Sequence, residues 1–435
     1  VKRVLALALL LTTPAYAGIE DTFGLGPRPM ALAGSYTARP GDFSAVYYNP
    51  AGLSPRSEAD RTGGFFDLSL AAVYGRPTLY VTREDGSEIV TPEPADTSGG
   101  LLGARFSVGQ PFGLEGLNMG ISAYVPKHLF QWAIRPDDDV QWALLTDRTQ
   151  VISSHFALAY RIAPWLSLGA GLRFLFDVQT LTRGQVTDVY LETDPETNRS
   201  VVKTSTRLGT NAQVFGRVSP IFGVLVTPLE ELRIGLSYRH KSYVDDWGDT
   251  RLSGIPDLGN LGYTHRFAHY FEPTQVTLGV SADVSREVDV SFDLTYSRWS
   301  EALTTNHNFF YRDDENGGIW GDTWMPAAGV RWKLDDAISL SLGYRFQKSP
   351  IDNFGGPTNL LDNDRHVIGT GVELALGENA AVTFALNHVI LAERSEHKDF
   401  RRFTSDAAWQ KNPGYPGYSH GGHVTAGSIG VESRW

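Results

Sequence analysis

From about Gly63 onward, apolar side chains recur at every second position. Ile338, Leu340, Leu342, Tyr344 and Phe346 alternate with Ser339, Ser341, Gly343 and Arg345. Val288, Val290, Phe292, Leu294 and Tyr296 alternate with Asp289, Ser291, Asp293 and Thr295, and the stretches from Leu232 and from Leu166 repeat the design. Period two over this length specifies strands, because successive side chains of an extended chain point to opposite faces. The strands come in pairs joined by very short turns, as at Pro228–Glu231, Asp335–Asp336 and Gly377–Asn379. Between pairs lie polar loops of about 15 to 30 residues, rich in Asp, Gly, Pro and Asn. The pattern predicts fourteen strands: one near 64–74, pairs near 100–109 with 117–126, 150–160 with 165–178, 208–227 with 232–244, 273–284 with 288–299, 323–334 with 337–348 and 364–376 with 381–393, and a last one over 422–435.

Short turns alternating with long loops are the habit of an outer-membrane barrel, with turns on the periplasmic side and loops outside. The expected fold is therefore all-β: a transmembrane antiparallel β-barrel. A sheet that spans hydrocarbon must close, because open edges would leave N–H and C=O groups unpaired. Once it is closed, one face meets lipid and the other the lumen. Asp289, Asp293, Arg233, Arg331 and Arg345 fall on the lumen face, and Tyr160, Trp165, Tyr238, Tyr296, Trp299, Trp324, Trp332 and Tyr344 are placed for interfacial girdles. A large soluble β protein is the competing reading.

Composition narrows this further. The chain has 435 residues, 42 % hydrophobic and 20 % charged, and no run approaches the roughly 18 apolar residues of a spanning helix. Aromatics at 11 % argue against disorder. Without cysteine there is no disulfide framework and no thiol nucleophile. A net charge of -11 argues against nucleic acid as a partner. Residues 1–17 have a Lys2-Arg3 start, an apolar run from Val4 to Leu11 and a small-x-small ending at Ala15-Tyr16-Ala17, which is the form of a signal peptide. That places the mature chain outside the cytoplasm, in the outer membrane of a Gram-negative bacterium. The chain ends in Trp435, a terminal aromatic of the sort read by the barrel assembly machinery.

Residues 18–62 lack the alternation and are rich in Gly and Pro, with a short helix expected over Ala31–Ala38. Their apolar content, including Phe23, Met30, Leu32, Phe43, Val46 and Leu53, favours a packed plug over a solvated tail. The expected division is 1–17 signal peptide, 18–62 hatch and 63–435 barrel.

Asp42-Phe-Ser-Ala-Val-Tyr-Tyr-Asn49-Pro50-Ala51-Gly52-Leu53 resembles the N-terminal hatch of the FadL/TodX (OMPP1) outer-membrane transporters. Downstream, Leu294–Ser300 with its Trp299, Asp322-Thr-Trp324-Met-Pro-Ala-Ala-Gly329, Leu342-Gly-Tyr344 and Asp362–His366 follow in the family's order. The resemblance implies a monomeric barrel that takes up long-chain fatty acids, hydrocarbons or other hydrophobic compounds. They would be captured among the extracellular loops, pass to a lumen site at the hatch and leave sideways into the membrane. The hatch turn would be Asn49, Pro50, Ala51, Gly52 and Leu53. The lateral gate would be a kink in the third strand, at Gly120, Ser122, Tyr124 and Pro126, where Gly and Pro weaken a ladder. The outer capture groove would be the apolar stretch of Leu129, Phe130, Trp132, Ile134, Trp142, Leu144 and Leu145. Arg173, Arg331 and Arg345 in the lumen are placed to hold a carboxylate or to neutralise nearby acids. The family's fatty-acid members carry a Lys just ahead of the Asp-x-x segment. Gly321 stands there in this chain, which leaves room for an uncharged substrate.

Other features are weaker. Gly417-Tyr-Ser419-His-Gly421 matches a hydrolase elbow in a loop without the strand–helix context the elbow needs. The acids at 137–139, 313–315 and 362–364 suit solvated loops, or divalent ions bridging lipopolysaccharide, more than a dedicated calcium site, and His265 with His269 lacks a helix to form a metal pair. No cofactor or metal is expected, and no catalysis. The alternatives to hydrophobic uptake are a general diffusion porin and an outer-membrane lipid-modifying enzyme with a Ser/His pair on adjacent strands.

Overall fold

A computed structural model describes residues 15–16, 23–55, 64–83, 86, 97–108, 114–126, 152–193, 200–255, 259–301, 321–351, 362–397 and 417–435. The strands are β1 (Phe66–Arg83), β2 (Thr97–Ser107), β3 (Leu117–Pro126), β4 (Ser153–Ala163), β5 (Leu166–Thr193), β6 (Ser200–Leu229), β7 (Leu232–Arg239), β8 (Ser242–Ile255), β9 (Gly259–Glu272), β10 (Thr274–Asp283), β11 (Val288–Arg298), β12 (Thr323–Lys333), β13 (Ile338–Gln347), β14 (Arg365–Ala375), β15 (Ala380–His397) and β16 (Gly417–Arg434). Fourteen of them form the ring. β7 pairs directly with β10, from Leu232↔Ala282 to Arg239↔Gln275, so the hairpin β8–β9 stands outside it. Closure is between β16 and β1, from Arg434↔Asp67 to Tyr418↔Arg83, and the ends are tied by reciprocal bonds between Phe66 and Trp435 of 2.9 and 3.0 Å.

The alternation that predicted the strands is realised as two faces. Leu70, Leu172, Phe222, Leu278, Leu342 and Leu386 point outward and are about half exposed, the apolar band that lipid covers. Trp165, Trp324, Trp332 and Trp435 are more than half exposed near strand ends. Trp299 departs from the expected girdle. It is 3 % exposed and packs against Phe271 at a ring separation of 6.0 Å, because the chain leaves β11 there in a short 3-10 turn.

β5 and β6 are longer than the alternation indicated, and β8 and β9 occupy a stretch expected to be loop. Strand above a membrane has no lipid row to fill, so it carries β-branched residues such as Thr180, Thr182 and Val186 without strict alternation. In the N-terminal segment the helix falls earlier than expected, at α1 (Pro27–Ala31). Proline suits the first turn, where no N–H is needed, and the positive φ of Ala33 and Gly34 ends the helix. A second short helix, α2 (Ala45–Tyr48), runs into a 3-10 turn over Pro50–Leu53. Among the described residues no helix is long and apolar enough to cross a membrane.

Candidate functional site: the filled lumen

Residues 23–55 lie inside the ring. Phe23, Leu25, Met30, Phe43, Val46, Tyr47 and Leu53 are all nearly inaccessible and form one core with the inward faces of the strands. The wall makes room for them with glycine. A β-carbon on Gly120 of β3 would come within 2.5 Å of Leu53. One on Gly169 of β5 would meet the Ala51 backbone, one on Gly223 of β6 the Asn49 side chain, one on Gly279 of β10 Thr37, and one on Gly343 of β13 the Leu32 backbone. Interiors have no slack for such additions. From the sequence Gly343 was an ordinary polar-face position and Gly120 a weak point of its ladder. The regular recurrence of glycine on the lumen face was the available signal.

The turn at Asn49 is built by its side chain. Oδ1 accepts the Ala51 N–H at 3.1 Å and caps the 3-10 turn, while Nδ2 donates to the Thr37 and Val224 carbonyls, both at 3.0 Å. Asn49 thus ties the turn to the segment's other arm and to β6. Asp293 on β11 does the same from the wall, accepting the N–H groups of Tyr36 (3.0 Å) and Thr37 (2.8 Å).

On the periplasmic side the ties are ionic. Arg28 pairs with Glu373 and Glu432, and with Asp42 at 3.5 Å. Burial alone would lower the Arg28 pKa, but the carboxylates of Glu432, Glu373 and Asp42 outweigh it and hold the guanidinium well above its ordinary value. Arg39 pairs with Asp283, and with Asp289 at 3.3 Å. A cavity of about 590 Å³ opens there, lined by Arg28, Arg39, Arg161, Arg233, Arg331, Asp289 and Glu373 among others. The floor beneath the inner segment is charged.

The other face of the segment carries Tyr47, with the Arg239 guanidinium 4.0 Å from its ring centre and His155 at 5.4 Å. Ser122 and His155, on the adjacent strands β3 and β4, share a 3.1 Å hydrogen bond between Oγ and Nδ1. This is the Ser/His pair that sequence reading did not find. It is buried against Tyr47 on this face, and among the described residues His155 Nε2 has no hydrogen-bond partner, so no carboxylate orients the ring as a hydrolytic triad requires.

The three lumen arginines separate in role. Arg173 pairs with Glu272 and Arg331 with Glu373 at 3.0 Å. Arg345 is 4 % exposed and lies against the inner segment, its Nη1 3.1 Å from where a Gly34 β-carbon would be. Along the third strand the ladders are continuous. β3 pairs with β2 from Asn118↔Ser107 to Pro126↔Gly99, and with β4 from Leu117↔Tyr160 to Tyr124↔Ser153, without a register shift. Gly120 is small because Leu53 and Val46 sit on it, and Pro126 stands at the strand's end, past the last β4 partner.

The capture-groove residues Leu129, Phe130, Trp132, Ile134, Trp142, Leu144 and Leu145 lie outside the described residues, as do the acids at 137–139 and 313–315, the side chains of His265 and His269, and both boundaries drawn for the N-terminal segment. Asp362 bonds Arg365 and Ser349, and no group of His, Asp and Glu among the described residues is placed to hold a metal. Gly417–Gly421 is strand, not loop, and with no helix following it makes no elbow.

With this geometry in hand, residues 19–421 match the family of outer membrane protein transport proteins (OMPP1/FadL/TodX). Alkane uptake protein A of Marinobacter nauticus is 24 % identical over 388 residues, 86 % of this chain and 82 % of that protein. The long-chain fatty acid transport protein of Escherichia coli O6:H1 is 21 % identical over 38 % of this chain and 41 % of its own. The crystal structure of the toluene transporter TodX of P. putida superimposes with a TM-score of 0.59 at 14 % identity, covering 95 % of this chain and 99 % of that one.

Proposed function

The chain belongs to the OMPP1/FadL/TodX family of outer-membrane transport proteins, and from that premise we propose that it takes up hydrophobic molecules, hydrocarbons or long-chain fatty acids, across the outer membrane of a Gram-negative cell. The inner segment acts as the hatch, with Asn49–Leu53 as its hinge turn. The observation that carries the reading is the contrast between the apolar hatch core and the charged floor below it. An apolar solute that reaches the hatch from outside gains nothing by crossing Arg28, Arg39 and Arg233 into water, and gains burial by leaving sideways into lipid. The relative named for alkane uptake supports an uncharged cargo. So does Gly321, which stands where the fatty-acid members of the family carry a Lys, while Arg173 and Arg331 are engaged by Glu272 and Glu373.

On this reading the outer groove at 129–145 captures the solute, the protein works as a monomer among outer-membrane lipids and lipopolysaccharide, and Trp435 is its handle for the assembly machinery. It is a carrier with no catalytic role. A porin is the reading that the filled lumen opposes. The test is uptake of radiolabelled hexadecane and oleate by cells that lack their own carriers and express this chain, alongside conductance in planar bilayers. Hexadecane uptake above the empty vector, with almost no ion current, is the expected result. A large steady current without uptake would make it a porin.

A further inference from the structure

The outward faces of β15, β16 and β1 change character at one level. Going up from the periplasm, Phe384 and Leu386 on β15 give way to His388. Ile429 and Gly427 on β16 give way to Thr425 and His423, and Leu70 and Tyr74 on β1 to Arg76. The ladders set three of these side by side, as His388↔Thr425 and Thr425↔Arg76, with His423 two positions above Thr425. Directly opposed side chains start about 5 Å apart and diagonal ones about 7–8 Å, so one small anion spans the group.

Arg76 is exposed on this face, while Gly75 beside it lies on the lumen face against Phe23. Among the described residues no carboxylate pairs with Arg76. By contrast Arg298, the outward arginine at the head of β11, has Glu301 at 3.1 Å. The Thr425 hydroxyl and His388 Nδ1 share a 3.0 Å hydrogen bond, and the His423 ring lies 5.5 Å from that of His388. Both imidazoles are exposed. The carboxylate-bearing Glu393 flanks Gly421 with Tyr80, further up the wall. The level is that of the outer interface. Phe66 packs on Trp435 at the periplasmic end, ring centres 5.5 Å apart. The ten positions from there to Arg76 span roughly 33 Å of strand, and a tilt of about 40° reduces that to roughly 25 Å, the height of the apolar band.

Directly beneath, the lipid-facing surface is hollow. A trough of about 1000 Å³ crosses β12–β16 and β1, lined by Tyr74, Leu342, Val372, Phe384, Leu386 and Ile429 among others. That is the top of the range for small-molecule pockets, roughly 300–1,000 Å³. Its shallowest side chains are at Gly427 and, diagonal to it, Ala72. Unlike Gly120 and Gly343, Gly427 is not forced by the inner segment. A β-carbon there would meet nothing closer than 3.7 Å, an ordinary contact. A larger residue would fit and would close the trough.

We propose that this face binds a phosphorylated glycolipid of the outer leaflet, lipopolysaccharide. Arg76, His388 and His423 hold a phosphate, and an acyl chain lies in the trough below. Guanidinium and imidazole N–H groups give phosphate charge-assisted hydrogen bonds, and Arg does so bidentately. The apolar trough starts where the acyl chain of such a lipid leaves its headgroup. The site needs the outer-membrane location and not the transport activity.

The test is native mass spectrometry of the full chain in mild detergent, titrated with deep-rough lipopolysaccharide or with the same glycolipid stripped of phosphate by hydrofluoric acid. The parent should bind the phosphorylated form at least tenfold more tightly. Arg76→Gln with His423→Gln should erase that preference, and Gly427→Leu should weaken both forms severalfold at unchanged heat-modifiable mobility. Equal binding of the two forms by the parent overturns the proposal, and this arm needs no variant to fold. A preference that survives in the double variant also overturns it. So does phosphatidylglycerol bound as tightly, which would mean any anionic lipid, or loss of binding in millimolar inorganic phosphate, which would mean a site for the free ion. A dimer that Gly427→Leu dissolves, with no lipid bound to the parent, would assign the face to a second copy instead.

Discussion

β3 and β12 contain the same two disruptive residue types and come out differently. β3 holds Gly120 and Pro126 and is paired along both sides. β12 holds Gly329 and Pro326 and is paired to β11 from Trp332 to Thr323; its bridges to β13 end at Ala327↔Arg345, and the Gly321 N–H bonds the Pro350 carbonyl beyond them. The glycines have one purpose in both strands. Gly120 receives Leu53 and Val46, and Gly329 receives Leu32. These two glycines mark where the inner segment presses on the wall. The prolines differ in place. Pro126 comes after the last β4 partner, Tyr124↔Ser153, whereas Pro326 is inside its strand with three residues beyond it. What decides the outcome is whether the missing N–H falls where a neighbour would have accepted it.

The sharpest way to break this comparison is Gly120→Val. Its β-carbon alone would come within 2.5 Å of Leu53 and 2.7 Å of Val46. Both contacts are ends of side chains, so the hatch shifts rather than the wall, at a cost of about 2–3 kcal/mol. The expected outcome is a folded barrel that conducts ions in planar bilayers where the parent is nearly closed. A variant that folds and stays silent would return Gly120 to strand geometry.

Loosening the hatch from elsewhere should give the same phenotype in milder form. Arg28→Ala leaves Glu432 without its hatch partner while Glu373 keeps Arg331. Removing one member of a largely buried ion pair costs on the order of 3 kcal/mol when the other charge is stranded, and less where water enters, as the cavity beneath allows. Heat-modifiable mobility should be lost at a lower temperature, with a smaller current than for Gly120→Val. A current as large would mean that the floor, not the glycines, seats the hatch.

Asp322→Ala tests what ties the head of β12 to β11. It removes the acceptor for the Tyr296 hydroxyl and the Ser300 amide. The site is exposed, so the effect on stability is about 1 kcal/mol. Hexadecane uptake should fall severalfold with no ion leak, since the hatch is untouched. Unchanged uptake would show that the head of β12 takes no part in transport.

How much of this was readable follows from the same residues. Alternation located the fourteen ring strands because one face must meet lipid, and that demand is written at every second residue. It missed β8, β9 and the tops of β5 and β6, where no lipid makes the demand. The hatch was legible from its apolar content and the Asn49-Pro50-Ala51 turn. Composition marks Gly120 and Pro126 as breakers, but only register tells that the first faces Leu53 and the second lies past its last β4 partner. Nothing in the alternation of β12 distinguished it from its neighbours, since losing one neighbour's bonds leaves the in–out pattern intact.

The smallest expected effect is the most discriminating. Pro126→Ala restores an N–H at the top of β3, where the β4 ladder has already ended at Ser153. If the third strand were a gate hinged on its proline, the new donor would extend the ladder and slow uptake; Pro326→Val restores the same group on β12. If position decides, the donor finds no acceptor on the β4 side, and the β2 side is already paired through Gly99. Stability should then move by less than about 0.5 kcal/mol, the usual range for a substitution that touches no special feature. Hexadecane uptake should stay within experimental error of the parent. The two proline variants, measured side by side in the same cells, separate residue type from residue place. Loss of uptake in Pro126→Ala would support the third strand as an exit, and loss only in Pro326→Val would oppose it.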